Sequence, residues 1–406
     1  MKRFAVFNPE HDLALANGDA HYLAPRNIRE MAHDLAPLMD YLAWDTPWGW
    51  DAAIVNYLHK SGIPRQELPT DAMLAALRTR SERITAHHLL QQMLPLSVHL
   101  TGESYVCRSL DDIKTYATQH SHLLLKAPLS GSGKGLRHLN FNDDKNDNVD
   151  DNDNHNHPSS RRSTSALTLS LKKVESWCDA LIRRHGYLTA EPYYDKVQDF
   201  AMEFIVADGQ CHFIGYSLFT TDDHGRYDSN LLLSDADIEA RLSEYIPRSV
   251  LHDVRHFVEA HTGLIVPTEW DTSRFPITFG IDMMIVNDRG QQSTVDGQHP
   301  IRPDGNSQFR IQNSEFKLHP CVEINLRANM GIVAHEVRRH LMAPEATGIY
   351  RLALFADHAA LAAFDEEQRA LYPALYRNGL LVRGYHPLTS TEGNARHLAY
   401  VIGKEV

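Results

Sequence analysis

Residues Leu123–Leu136 read LLLKAPLSGSGKGL. The apolar run at the start predicts a buried strand over about Leu123–Ala127, and a glycine-rich loop follows at Ser130–Gly135. Gly131, Gly133 and Gly135 alternate there with Ser132 and Lys134. Such a loop exposes backbone N–H groups and tolerates close approach of an anion. Lys126, on the strand just before it, adds a fixed positive charge. Three readings meet at this stretch. A P-loop requires Gly where the chain has Pro128, and Ser or Thr where it has Gly135, so that reading fails at two positions. A mobile loop covering a phosphate chain and a plain glycine-rich hairpin turn are the other two.

A second signal lies about two hundred residues on, at Glu323-Ile324-Asn325-Leu326-Arg327. Alternate residues of a strand share a face, so Glu323, Asn325 and Arg327 point the same way. A carboxylate beside an amide carbonyl suits a hard cation such as Mg²⁺, and an arginine two residues on suits a phosphoryl oxygen. Alone, the pattern fits a solvent-facing strand edge equally well. What strengthens it is Asp282, isolated within the apolar strand FGIDMMIV (Phe279–Val286). A lone aspartate there is costly unless paired or bound to a metal.

Between these signals lie Glu191-Pro192 on a strand-like run, then a hairpin. Phe200, Met202, Phe204 and Val206 alternate up to the turn Asp208-Gly209, and the chain returns over Cys211–Phe219. In this order the parts resemble the ATP-grasp superfamily, and most of all its biotin carboxylase and carbamoyl-phosphate-synthase-like branch, which also has an E-x-N-x-R strand. The resemblance spans about residues 81–345. It implies an α/β (α+β) ATP-grasp fold, with ATP and Mg²⁺ as cofactors. Lys126 would bind ATP phosphate oxygens, and Ser132, Gly133 and Lys134 would lie over the triphosphate. Arg83 would stand in for an upstream phosphate-binding lysine. Glu191 would line the adenine edge, and Asp199, or alternatively Glu203, would accept from the ribose hydroxyls. Asp282, Glu323 and Asn325 would hold Mg²⁺. Arg327 would stabilise charge on the transferred phosphoryl group. The implied reaction activates a small-molecule carboxylate as an acyl phosphate for attack by an amine or thiol acceptor. A phosphotransferase of the same fold and a non-catalytic nucleotide-binding protein are the alternatives.

The chain's 406 residues predict two or three domains. The expected division is a small N-terminal α/β domain over 1–80, the ATP-grasp domain over 81–345 and a C-terminal helical and hairpin extension over 346–406. Arg3–Phe7 reads as a first buried strand, residues 27–42 as one helix, and Ser81 as the cap of the next. The polar turn Asn8-Pro9-Glu10-His11-Asp12 follows that first strand, where a second substrate could bind. Two polar insertions, 141–165 and 287–317, are read as loops between paired strands. The formal net charge of −12 argues against nucleic acid as a partner. Residues 141–158 hold six Asp and one Lys of that total, so the charge is partly local. Four widely spaced cysteines form no CxxC pair and point to a reducing cytoplasm. No apolar run is long enough to predict a membrane span. The pattern does not address oligomeric state.

Overall fold

The computed structural model describes residues 3–130, 135–140, 164–221, 227–288 and 315–405. Ser132, Gly133 and Lys134 lie outside them, as do most of the two insertions.

The N-terminal eighty residues are helical: α1 (His11–Asn17), α2 (Arg26–Leu35), α3 (Ala52–Lys60) and α4 (Asp71–Arg80). No strand forms among the described residues of this part, which corrects the expected α/β unit. Arg3–Phe7 is the reason. The amides of Arg3, Phe4 and Ala5 donate to the Asp45 carboxylate at 2.7, 2.7 and 3.2 Å. That side chain takes the donors a neighbouring strand would have taken. The expected helix over 27–42 is also interrupted. Pro37 supplies no N–H and disfavours a continuing α-helix, so α2 tightens into a 3₁₀ turn at Ala36–Asp40. Ser81 closes α4 instead of opening the next helix, with both its amide and its hydroxyl donating to Leu77 O at 2.9 Å. Glu82 takes the cap position of α5 (Arg83–Met93).

A small sheet follows. Strand β1 (Tyr105–Cys107) leads through α6 (Leu110–Ala117) to β2 (His122–Lys126) and β3 (Leu136–Asn140). Helix α7 (Thr164–His185) then returns the chain to β4 (Leu188–Pro192). Gly186 ends α7 in the left-handed region, φ +81°, where glycine carries no Cβ penalty. The strand order is β1-β4-β2-β3, each neighbour antiparallel. Leu123, Leu125, Leu188 and Ala190 bury one face against Ile113 of α6 and Cys178 of α7. The glycine-rich loop therefore joins two paired strands, its stem closed by Ala127 N–H donating to Gly135 O at 2.8 Å.

The larger sheet begins with β5 (Lys196–Ala207), β6 (Gln210–Thr221) and β7 (Tyr227–Leu232). After α8 (Asp235–Leu242) and α9 (Arg248–Ala260) come β8 (Ile277–Asn287), β9 (Phe316–Asn325) and α10 (Met330–Leu341). It continues with β10 (Thr347–Leu354), α11 (His358–Leu371), β11 (Leu375–Arg377), β12 (Leu380–Pro387) and β13 (His397–Lys404). Among the described residues the order is β11-β12-β13-β10-β7-β6-β5-β8-β9. Asp208 and Gly209, at φ 49° and 75°, make the turn between β5 and β6. Positive φ at both positions is what a two-residue hairpin of this twist requires.

The two faces of this sheet differ, and the difference positions the site. Phe200, Met202, Phe204 and Val206 of β5, with Ile281, Met283 and Ile285 of β8, turn to one side. There they form a buried core with residues of α3, α4, α5 and α9. The alternate residues Asp199, Ala201 and Glu203 turn to the other side. Register places Ala201 opposite Asp282, Asp282 opposite Glu323, and both Glu203 and Asn325 opposite Gly280. Directly paired residues share a face, so five polar side chains from three strands stand on one surface. Helix α10 packs on this surface, its first turn lying over Glu203 and Ser217.

Gly280 has no room for a side chain. A Cβ there would stand 2.3 Å from Asn329 Nδ2 and 2.4 Å from Glu203 Oε2. Gly280→Ala is therefore expected to cost about 1–3 kcal/mol of stability, as overpacking does. A lowered denaturation midpoint in calorimetry checks it; an unchanged midpoint contradicts the packing described.

Candidate active site

Lys126 ends β2 and is buried at the junction of the two sheets. Its ammonium pairs with the carboxylate of Glu191 on β4 and lies 3.4 Å from the carbonyl of Val322 on β9. One charged side chain thus links the small sheet to the large one. Glu191, expected at an adenine edge, commits a carboxylate oxygen to Lys126.

Arg83, the first residue of α5, connects three elements. Its amide and its Nε donate to Pro128 O and Ala127 O at 2.9 and 3.0 Å, where the glycine-rich loop begins. Its Nη2 reaches Ser130 Oγ at 3.4 Å and Glu323 Oε1 at 2.9 Å. The guanidinium is nearly buried and is fixed by the loop base and β9 together.

Asp282 and Glu323 face each other across β8 and β9, and Asn325 Nδ2 donates to Asp282 Oδ2 at 3.1 Å. Burial, with the negative charge of Glu323 added, pushes the Asp282 carboxyl up to about 7. Two carboxylates and an amide oxygen are the donors a hard cation takes, and a cation would relieve their repulsion. Among the described residues no group of three or more His, Cys, Asp and Glu side chains is arranged to hold a metal. Mg²⁺ characteristically binds through one or two carboxylates and takes its other ligands from phosphate oxygens and water, which is the donor chemistry of Asp282, Glu323 and Asn325.

Arg327 follows the end of β9, and each nitrogen of its guanidinium is engaged. Its Nε and Nη2 both donate to Asp12, at 3.1–3.2 Å and 2.8 Å. Nη2 also reaches Asn325 Oδ1 at 3.1 Å, and Nη1 reaches Ala328 O at 3.0 Å. Burial alone would raise the Asp12 carboxyl, but the Arg327 charge and its hydrogen bonds prevail and hold it below the usual range. The polar N-terminal turn thus meets the site through a residue 315 positions away in sequence. Nothing in one sequence pairs Asp12 with Arg327; the only signal was the density of polar groups at residues 8–12. His11, Asp12, Arg83, Ser130, Glu323 and Asn325 line one cleft.

Asp199 and Glu203 share the sheet face with Asp282 but stand apart in environment. Asp199 pairs with Lys196 and lies within 3.5 Å of Thr221 Oγ1; burial nonetheless raises its carboxyl. Glu203 is wholly buried under α10, where Asn329 Nδ2 donates to its Oε2 at 2.7 Å. Burial is the main cause that pushes Glu203 up to about 8. An acid whose folded pKa exceeds its unfolded value stabilises the fold least at high pH. That contribution is complete below the unfolded value near 4.5 and is lost as pH rises through about 8. Glu203→Gln is therefore expected to raise the thermal midpoint, with a gain that grows from pH 5 to pH 8. A gain independent of pH would contradict the raised titration of Glu203 between pH 5 and 8.

No protein-family model and no curated protein matches the sequence. Among solved structures, the chain is similar to N5-carboxyaminoimidazole synthetase from Staphylococcus aureus complexed with ADP, at 11% identity and a TM-score of 0.46. That match covers 99% of this chain and 92% of the other. It is similar to the biotin carboxylase domain of the Hydrogenobacter thermophilus 2-oxoglutarate carboxylase, in complex with ADP, its magnesium salt and bicarbonate. The identity is 10% and the TM-score 0.44, over 86% of this chain and 67% of the other. Biotin carboxylase from Campylobacter jejuni shows 11% identity and a TM-score of 0.44, over 88% and 70%. In the order of its Lys126 strand, glycine-rich loop, Glu191 strand and two acid-bearing strands, the sequence resembles the ATP-grasp superfamily.

Proposed function

We propose that this chain is an ATP-grasp ligase that uses ATP and Mg²⁺ to activate a carboxylate as an acyl phosphate, which an amine or thiol acceptor then attacks. The observation that carries this reading is the arrangement around β9. Arg83, Glu323 and Asn325 line a cleft, Asp282 faces Glu323 from β8, and the buried Lys126 stands against Val322 O of the same strand. Asp282, Glu323 and Asn325 would hold Mg²⁺, which when bound neutralises phosphate oxygens.

The residues contribute position and charge. Lys126 and Arg83 attract phosphate oxygens, and their burial keeps them largely out of water, where each charge acts more strongly. Ser132, Gly133 and Lys134 would cover the triphosphate with backbone N–H groups. Asp199 would accept from the ribose. Arg327 meets the charge that develops as the phosphoryl group moves to the carboxylate, and Asp12 keeps the guanidinium from turning away.

Screening carboxylate and amine or thiol pairs for ADP together with inorganic phosphate tests the reaction. ADP with a stable phosphorylated product and no phosphate would make the chain a phosphotransferase. Tight ATP binding without turnover on any pair would make it a nucleotide-binding protein. Both outcomes contradict the ligase reading.

A further inference from the structure

His11 opens α1 beside the residue that holds Arg327, and its ring is 1% exposed. Its Nδ1 lies 3.0 Å from Asp51 Oδ2, and Asp51 is 2% exposed. Asp51 is itself fixed. Its Oδ1 accepts from Ile54 N at 2.8 Å, capping α3, and its Oδ2 also accepts from Asn8 Nδ2 at 3.2 Å. Asn8 in turn exchanges hydrogen bonds with Gly49, to its carbonyl at 2.9 Å and from its amide at 3.2 Å. Gly49 leaves space for the ring, since a Cβ there would sit 2.4 Å from His11 Cγ. Four residues from two segments thus set the position of one imidazole.

An acceptor-only carboxylate at Nδ1 requires the proton of a neutral imidazole to be on that nitrogen. Nε2 then carries the lone pair. It is buried without a hydrogen-bond partner, and His11 is one of the residues lining the cleft with Arg83, Ser130, Glu323 and Asn325. A buried, oriented and unpartnered acceptor is costly for stability alone. Its neighbours in charge are Asp51, Glu10 and Asp12.

We infer that His11, oriented by Asp51, is the general base that takes the proton from the attacking acceptor, an amine or thiol, in the second half of the reaction. This rests on the ligase reading above. As the nitrogen or sulfur forms its bond to the carbonyl carbon, its proton moves to His11 Nε2. The bond from that carbon to the phosphate oxygen breaks, and phosphate leaves with the electron pair. The imidazolium then returns the proton to phosphate or water. Asp51 is a positioning residue, acting through the imidazole, and Gly49 admits it.

Two measurements on the full chain test this. In long-range ¹H–¹⁵N spectra of protein labelled at histidine, the neutral His11 ring is expected to carry its proton on Nδ1, and Asp51→Asn to disturb that tautomer. A proton on Nε2 in the wild type overturns the dyad, and this readout needs no substrate, so it is independent of the ligase reading. The second measurement compares acceptors. Hydroxylamine is largely unprotonated at neutral pH and has little need of a base. With any carboxylate that gives a hydroxamate, His11→Gln and Gly49→Ala are expected to lose about 10²–10⁴-fold on amine acceptors, the range of general base catalysis. Their loss on hydroxylamine should be smaller by at least about tenfold. Equal losses on both acceptors overturn the proton-transfer role. No hydroxamate from the wild type on any carboxylate overturns the ligase reading, with the spectra still deciding the dyad.

Discussion

Lys126→Ala is expected to abolish Mg²⁺-dependent ATP turnover and to weaken the fold as well. The two effects have different causes. Turnover fails because the variant loses the buried cation that ends the strand leading into the glycine-rich loop. Stability falls because Glu191 stays buried without its partner. Removing one member of a buried pair costs about 3–5 kcal/mol, whereas replacing both by neutral groups of similar volume is often neutral. The double variant Lys126→Met with Glu191→Gln should therefore recover much of the thermal midpoint and none of the turnover. Turnover in that variant close to the wild type would remove Lys126 from the site. Glu323→Ala should also abolish turnover, with a smaller stability cost, because Glu323 is about one-third exposed and Arg83 keeps its bonds to Ala127 and Ser130.

Arg327→Ala has the second large expected effect. It removes the guanidinium that would meet developing phosphoryl charge, and loss of such a donor costs about 10²–10³-fold in turnover. It also strands Asp12, whose carboxylate has Arg327 as its bidentate partner. Because Asp12 is 22% exposed, the stability loss should fall below the cost of about 3–5 kcal/mol for a fully buried pair. Arg327→Lys keeps the charge but not the fork, so it should fold better than the alanine variant and still turn over poorly. Asp12→Asn separates the roles further. It leaves Arg327 in place with fewer constraints, so turnover should fall less than in Arg327→Ala. A stable, fully active Arg327→Ala would contradict both assignments.

Strands were legible in the sequence where alternation was strong. The hairpin over residues 200–219 and the strand around Asp282 stand where their periodicity places them, whereas the strand read through Arg327 ends at Asn325, and Arg327, past its end, pairs with Asp12. Asp282 announced itself because a carboxylate in an apolar run needs a reason. The N-terminal part was misread because Arg3–Phe7 has the composition of a buried strand. Only the fold reveals that Asp45 takes its amides. Arg83 and Lys126 were legible as charges near a glycine-rich loop, but their partners Glu323 and Glu191 depend on how two sheets meet. Asp12 with Arg327, and His11 with Asp51, join segments 315 and 40 residues apart. Local patterning carries no information about such pairs. Asp51 in particular reads as a turn residue after Trp48-Gly49-Trp50 until the fold places it against His11.

The cleft lined by Arg83, Glu323 and Asn325 is expected to bind ATP with Mg²⁺, and thermal unfolding of the full chain with ATP tests this without knowing the acceptor. Ligand bound only to the native state adds RT ln(1 + [L]/Kd), about 2.7 kcal/mol at a hundredfold excess over Kd. ATP with Mg²⁺ should therefore raise the midpoint of the wild type by several degrees. ATP with a chelator should raise it much less, and Glu323→Ala and Asp282→Asn should lose the Mg²⁺-dependent part. An ATP shift that is absent, or equal in the wild type and both variants, would contradict the account.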